Sequence, residues 1–482
     1  MAAAVNRLRD VNAHSLRLRL LPQKEAMSGY SPELPQDVLM GIFALLEVPD
    51  LVRAGSVCSS WRASYISLRN IGGYKQAQTP CLLYTSELAG ENVACLYSLV
   101  EKREYKLTLP DPPIRSRYII GSSHGWIITA DERSELHIVN PITGEQMSLP
   151  TVTTIEQVKP LYNDAGVVHG YEYSWYSGRH VYSSPSTFSL GLLRKYLFNK
   201  AFLSSDPSSG DYFVVLIHNP RAQLSFARAG DDKWTWLPPH ANYTDCLFED
   251  GMLYALTSFG EVHAFDLSAP TVTQKLVVGK VKTYIEEIMY FARAPCGDLL
   301  QIWRSSITNL DDDVDKTDGD VVQFELDKDE DDLEEGSHHG YWMAGDGLES
   351  GSNKDDDDLE TESHCDSLVQ YTNMIEVFKV DFYANKLVDI GNLGNNVLFL
   401  GHNQSLCLNA DAYPQLKSNH VYFTDDDSLY LFGWKQNSRD IGVFNLGGDS
   451  IELIVSPELW SNWPAPVWVI PNPRKMILAS HN

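Results

Sequence analysis

No uninterrupted apolar run in this chain is longer than a β-strand. The longest, Tyr212 to Ile217, is six residues in a sequence of 482. A membrane-spanning helix needs about 18 or more consecutive apolar residues, so no span is expected. From about residue 78 onward the chain is a succession of short runs rich in β-branched and aromatic residues. Examples are Trp126-Ile127-Ile128, Leu136-His137-Ile138-Val139, Met252 to Leu256, Val262 to Phe265, Val421-Tyr422-Phe423 and Leu429-Tyr430-Leu431-Phe432. Turn-forming clusters lie between them, among them Pro141-Ile142-Thr143-Gly144, Phe259-Gly260-Glu261 and Thr424-Asp425-Asp426-Asp427. Runs of this length and composition, punctuated in this way, read as strands. At roughly 150 residues per domain the length suggests two to four domains. A hydrophobic fraction of 43% is enough for a real core.

The strands recur in a loose unit. Val139-Asn140-Pro141…Leu149-Pro150 aligns with Ala227-Arg228-Ala229…Leu237-Pro238, and Phe265-Asp266-Leu267, Val380-Asp381-Phe382 and Phe444-Asn445-Leu446 share the same strand end. The intervals between residues 140, 228, 266, 381 and 445 are 88, 38, 115 and 64, and setting aside 54 acidic-segment residues reduces 115 to 61. Such intervals suit blades of roughly 40–50 residues with some units unrecognised. The pattern predicts a β-propeller, whose sheet edges are short and protected, over a pair of β-sandwiches.

Charge is distributed unevenly. The chain has 64 acidic and 38 basic residues, a net of −26; residues 311–364 hold 22 of the acids and 3 of the bases, and the other 428 residues carry only −7. An acidic protein is repelled by nucleic acid and by anionic membranes, which excludes both as general partners. The acidic segment contains Asp311-Asp312-Asp313, Asp329 to Asp332 and Asp355 to Asp358, with His338, His339 and His364. These residue types can ligate metals, but their spacing matches neither an EF-hand nor a zinc site, so neither a metal nor a cofactor is expected. Self-repulsion and scarce apolar residues predict a disordered insertion between two strands.

Seven cysteines (58, 81, 95, 246, 296, 365 and 407) form no C-x-x-C pair. An odd, scattered set fits a reducing compartment, the cytoplasm or the nucleus, better than a disulfide framework. The triplets Asn242-Tyr243-Thr244 and Asn403-Gln404-Ser405 are what chance supplies in a chain of this length. Residues 1–30 hold Arg7, Arg9, Arg17, Arg19 and Lys24 against Asp10 and Glu25. An Arg-rich, acid-poor start is compatible with a transit peptide, and the plainer expectation is a disordered leader upstream of a second start at Met27.

A helical segment precedes the strands. Pro35 suits a first helical turn, where no backbone hydrogen bond is lost. Val38, Leu39, Ile42, Phe43 and Leu46 follow at helical spacing; Pro49-Asp50 breaks this helix and starts another, on which Leu51, Val52, Ala54, Val57, Cys58 and Trp61 make a second stripe. Forty residues cannot bury two apolar stripes unaided, so part of that surface must face the rest of the chain or a partner. The order Leu34-Pro35-x-Asp37-Val38-Leu39-x-x-Ile42-Phe43, then Leu51 and Val57-Cys58-x-x-Trp61-Arg62, resembles an F-box. The segment Phe248-x-x-Gly251-Met252-Leu253-Tyr254-Ala255-Leu256, followed by Gly260-Glu261-Val262, is similar to a kelch-like propeller unit without its regular double glycine. Gly121-Ser122-Ser123-His124-Gly125-Trp126 and Asn419-His420-Val421-Tyr422-Phe423-Thr424-Asp425-Asp426 resemble the plant F-box family whose C-terminal propeller-type domain long had no assigned function.

The expected organisation is therefore a disordered leader at 1–30, an all-α F-box module at 31–70, and a large all-β propeller-like domain at 78–475 interrupted by the acidic insertion at 311–364. The resemblance implies that Leu34, Pro35, Val38, Leu39, Ile42, Leu51, Val57 and Trp61 make or support contact with a Skp-type adaptor, and through it a cullin–RING ubiquitin ligase. Aliphatic and aromatic anchors at this spacing suit helix-in-groove docking. Asp37 and Arg62 read as rim or solvent residues.

No catalytic centre is legible. Gly121-Ser122-Ser123-His124-Gly125 formally matches a hydrolase nucleophile elbow, which needs a strand before and a helix after. Here strand-like runs flank it on both sides, so a hairpin is expected. There is no Walker loop, dinucleotide fingerprint, zinc-ribbon pair or RING-type ligand array. Trp234, Trp236, Trp460, Trp463 and Trp468 are expected to pack between blades rather than form an aromatic binding face. The reading is a target receptor of an SCF-type ubiquitin ligase. The alternatives are a propeller scaffold working without cullin, and a small-ligand-binding propeller whose F-box controls turnover.

Overall fold

The computed structural model describes residues 34–71, 73, 78–269, 271–284, 287–310, 368–382, 384–426, 439–452, 454 and 464–474. The leader at 1–30, the acidic insertion at 311–364, Trp460 and Trp463 lie outside the described residues.

Three helices open the described chain: α1 (Gln36–Phe43), α2 (Val48–Ala54) and α3 (Ser59–Ile71). The second apolar stripe is thus divided between two helices, with Gly55 as the C-cap of α2. Gly55 lies so close to α3 that an added Cβ would fall 2.8 Å from the Tyr65 ring.

The β-domain is a ring of six blades among the described residues. Blade 1 combines Cys81–Thr85, Val93–Ser98 and Arg103–Thr108 with the distant Val467–Val469. Pairing of Leu82 with Trp468 closes the ring, so the first and last blade strands share one sheet. Blade 2 runs from Tyr118–Ser123 to Gln146–Ser148, blade 3 from Phe198–Leu203 to Thr235–Leu237, and blade 4 from Tyr243–Glu249 to Thr273–Val278. Blade 5 runs from Ile288–Arg293 to Lys386–Asp389, and blade 6 gathers Asn396–Leu400 to Ser450–Glu452 in five strands.

Strand geometry explains why the apolar runs are continuous. Successive side chains of a strand point to opposite faces. Each blade is covered on both faces by its neighbours, so adjacent residues enter different cores. Leu82 packs with Val397 and Phe399 of blade 6, while Leu83 packs with Ile119 and Ile127 of blade 2. Val214 and Val215, and Tyr290 and Phe291, divide in the same way between the cores on either side of blades 3 and 5.

The repeat read from the sequence marks one position throughout. Residues 228, 266, 381 and 445 end the last-but-one strand of blades 3 to 6, and Asn140 directly follows that strand in blade 2. No blade was skipped between them. The 88-residue interval is widened instead by an extra three-stranded sheet, Val158–Tyr162, Val168–Tyr173 and Ser186–Ser189. That sheet places Val158, Tyr171, Tyr173 and Phe188 in the core shared by blades 2 and 3.

The segment Gly401–Ser405 links blade 6 to blades 2 and 4. The backbone N–H of Gln404 donates to the Ser122 carbonyl of blade 2 at 2.7 Å, and the Ser405 hydroxyl donates to Asp245 of blade 4 at 2.6 Å. Asp245 is fully buried and is ion-paired with Lys200 of blade 3 at 3.0 Å. Gly401 has φ of 142°, and an added Cβ would lie 2.0 Å from the Thr424 hydroxyl, so only glycine fits.

A buried histidine makes the fold acid-sensitive. His218 is fully enclosed, with Nδ1 facing the Asn219 carbonyl at 2.8 Å and Nε2 facing the Ser225 hydroxyl at 2.8 Å. Burial lowers its pKa to about 4. The unfolded state therefore takes up a proton near pH 6.5 that the native state refuses, and stability is lost as pH falls from about 6.5 toward about 4. Thermal melts of wild type are expected to drop across this window, and His218→Gln should reduce the slope. An unchanged slope would rule out this origin.

Candidate functional site

The helical module has two apolar surfaces. Leu39, Phe43, Ala44, Leu51, Ala54 and Leu68 form its core, against which Trp61 and Tyr65 are partly buried. Phe43 and Trp61 meet edge-to-face at 5.3 Å between ring centroids. The other surface is open. Val38 (43% exposed) and Ile42 (40%) stand one turn apart on α1, and Leu34 (48%) and Leu45 (61%) flank the helix at its two ends, so that four apolar residues are exposed over 34–45. Val57, between α2 and α3, and Ile66 on α3 are also exposed, at 51% and 46%.

The expected adaptor residues thus divide. Leu34, Pro35, Val38, Ile42 and Val57 face outward; Leu39 and Leu51 are core residues, and Trp61 is half-buried against that core. Asp37 and Arg62 are exposed. Leu45 and Ile66 were not singled out in the sequence; the spacing of Leu45 from Ile42 was the available signal for the former.

The module is fastened to blade 1. Arg53 of α2 pairs with Glu101 at 2.6 Å and with Asp50 at 2.8 Å, donates to the Tyr105 hydroxyl, and lies 5.3 Å from that ring's centroid. Gln78 accepts from the Val48 N–H at 2.6 Å, and Thr79 donates to Glu47 at 2.8 Å. Burial raises the Glu47 carboxyl above its ordinary range against the opposing Thr79 hydrogen bond; Glu101 and Asp50 add to the rise. From α3, Arg69 donates to the Pro473 carbonyl at 3.1 Å. Arg53→Ala is expected to cost roughly 1–2 kcal/mol at this joint, allowing for its partial exposure. Limited proteolysis should then cut faster between 71 and 78 while the propeller fragment survives; unchanged cleavage would mean that Arg53 does not secure the joint.

Strand direction fixes which rim of the propeller carries the module. In each four-stranded blade the inner strand begins at the rim where the two middle strands are joined, and the opposite rim carries the other turns. The module bonds to Glu101, in the turn between Val93–Ser98 and Arg103–Thr108, and to Pro473, beyond the end of Val467–Val469. It therefore occupies the second rim.

The remaining motifs fall into structural roles. Ser123 ends a strand paired with Trp126–Ala130, and the connecting His124 and Gly125 have φ of 52° and 84°. This is a hairpin and not a nucleophile elbow; the Ser123 hydroxyl accepts from the Leu203 N–H at 3.3 Å. Trp234 and Trp468 are buried, and half-buried Trp236 stacks on His240 at 3.8 Å. No helix among the described residues is long and apolar enough to cross a membrane.

A family model described as KIB1-4 beta-propeller matches residues 96–445, which includes all of blades 2 to 5 and most of blade 6. The chain belongs to the KIB1-4 beta-propeller family. An F-box-like family model matches residues 31–65, the segment of the two-faced helices. The chain is 26% identical over 253 residues to F-box protein KIB4 of Arabidopsis thaliana, covering 51% of this chain and 62% of that protein. It is 25% identical over 247 residues to F-box only protein 7 of Arabidopsis thaliana, covering 49% of this chain and 58% of that protein. The chain thus spans about three-fifths of the length of these two relatives. Similarity to F-box protein SKIP23 of Arabidopsis thaliana is 22% over 455 residues, 92% of this chain and 96% of that protein. An F-box-like module followed by a β-propeller is thus the organisation of this chain.

Proposed function

We propose that this chain is the target-recognition subunit of an SCF-type ubiquitin ligase. The observation that carries the reading is the solvent-facing stripe Leu34, Val38, Ile42 and Leu45 on a helical module fastened to a propeller. A Skp-type adaptor covers that stripe and Val57, and a cullin–RING assembly joins through the adaptor. The propeller holds a target protein near the ubiquitin-charged enzyme, turning a bimolecular encounter into a local one. No catalytic group of this chain takes part, and the work is done by positioning. Leu39, Leu51 and Trp61 support the contact from behind by fixing the helices. Co-purification with a Skp-type adaptor tests the reading directly. Wild type is expected to retain the adaptor and Leu34→Ala/Pro35→Ala to lose it, with circular dichroism unchanged. A folded wild type that retains no adaptor would leave a scaffold working through the propeller alone.

A further inference from the structure

Beyond the inner strand of blade 1, which ends at Val469, the chain reads Ile470-Pro471-Asn472-Pro473-Arg474. Proline fixes φ at about −65° and disfavours the helical region for the residue before it. Two prolines around one asparagine therefore make a stiff segment, and both Pro471 and Pro473 are buried. Wherever Asn472 is held, the carbonyl of Pro473 is held with it.

Asn472 is held by its whole side chain. Nδ2 donates to the His124 carbonyl and to Asp206, each at 2.9 Å, and Oδ1 accepts the Arg474 N–H at 3.0 Å. Its main-chain carbonyl accepts from Nδ2 of Asn140 at 3.0 Å. His124 and Asn140 belong to blade 2, and Asp206 follows the inner strand of blade 3. An amide supplies two donors and an acceptor on one short side chain; a carboxylate of the same shape could only accept. Asp206 also accepts from the Trp126 indole of blade 2 at 3.1 Å and from the Ser208 N–H at 3.0 Å, and Arg474 lies 3.7 Å from it. Gly125 makes room for the segment: an added Cβ would fall 2.3 Å from the Asn472 Cβ and 2.6 Å from the Ile470 carbonyl oxygen.

The helical module meets this segment through its third helix. Arg69 of α3 donates from Nε to the Pro473 carbonyl at 3.1 Å, while Arg53 of α2 is paired with Glu101 of blade 1 at 2.6 Å. A body fastened at one point can pivot about it, and a second fastening on another helix opposes the pivot. The first fastening refers the module to blade 1. The second, through Pro473 and Asn472, refers it to blades 2 and 3.

We infer that Asn472 is a positioning residue, which fixes the angle between the helical module and the ring by holding the Pro473 carbonyl under Arg69. The inference rests on the receptor reading for its consequence. In a receptor that angle sets where a held target meets the ubiquitin-charged enzyme, and a small misplacement of reacting groups costs rate.

Single-molecule energy transfer in the full chain tests it, with dyes at Arg62 on α3 and Lys275 on the outer strand of blade 4, both exposed. Wild type is expected to give one narrow distance distribution. Asn472→Ala should widen it at least about twofold, as a released hinge does. The exchange Asn472→Asp/Asp206→Asn returns a donor and an acceptor to that contact with their roles reversed, and should narrow the distribution again. Arg69→Met removes only the α3 end of the link and leaves the segment on blades 2 and 3. It should widen the distribution as much as Asn472→Ala does, with the propeller's unfolding transition unchanged. Variants as narrow as wild type, or an exchange that stays as wide as Asn472→Ala, would overturn the inference. So would widening by Asn472→Ala without widening by Arg69→Met, because the effect would then lie in the blades. Co-purification of the unlabelled chains with a Skp-type adaptor should be the same for wild type and every variant. A wild type that retains no adaptor defeats the receptor reading and leaves the distance result standing.

Discussion

Val38→Glu/Ile42→Glu is expected to weaken adaptor binding at least about a hundredfold while leaving the chain's unfolding transition in place. Both side chains are exposed in the free chain, at 43% and 40%, so neither substitution opens a cavity. Each anchor of a helix-in-groove contact contributes on the order of 2 kcal/mol, and about 1.4 kcal/mol is tenfold in affinity. A carboxylate placed in the apolar groove adds an unpaired buried charge to the loss. Leu39→Ala makes the contrast. Leu39 is 1% exposed and packs with the module core, so its truncation should destabilise the module by roughly 2–5 kcal/mol. Titration calorimetry with a Skp-type adaptor, run beside scanning calorimetry of each variant, separates the two effects. If Val38→Glu/Ile42→Glu bound like wild type, the stripe on α1 would not be the docking face.

Arg304→Met is expected to be the most damaging single substitution at the joint between blades 5 and 6. Its guanidinium is almost fully enclosed, pairs with Asp440 at 2.7 Å, donates to the Thr424 carbonyl at 2.8 Å, and lies 4.7 Å from the Phe423 ring centroid. Removing one partner of a buried pair costs roughly 3–5 kcal/mol, because the other charge is left uncompensated. Asp440 would retain only Thr372 among the contacts described for it. Adding Asp440→Asn to Arg304→Met should recover part of the loss, since it removes the stranded charge. Denaturant unfolding with fluorescence detection checks both. A single variant as stable as wild type would show that the pair carries no net stability.

Much of this architecture was legible in the residues, for identifiable reasons. The positions 140, 228, 266, 381 and 445 hold one place in successive blades, because each ends or directly follows a strand before a polar turn. Continuous apolar runs such as Tyr212 to Ile217 announced strands covered on both faces. What the residues did not disclose depends on distant pairing. Nothing local in Val467–Val469 says that it joins Cys81–Thr85, and nothing in Val158–Tyr162 says that its sheet lies between two blades instead of forming one.

The site was partly legible. The adjacent pairs Val38-Leu39 and Ile42-Phe43 give α1 an apolar arc wide enough for two surfaces, and spacing alone does not say which member faces inward. That depends on Leu51, Ala54 and Leu68, which close over Leu39 and Phe43. The Arg304 cluster was invisible for a related reason: Thr372 and Asp440 come to it from 68 and 136 residues away.

Amide hydrogen exchange of the full chain, with and without a saturating Skp-type adaptor, tests the docking face most directly. Added protection is expected over residues 34–45 and around Val57, with none over 305–310 or 368–374. Protection confined to the propeller, or bound adaptor that leaves 34–45 exchanging as in the free chain, would contradict the assignment of the helical stripe as the adaptor surface.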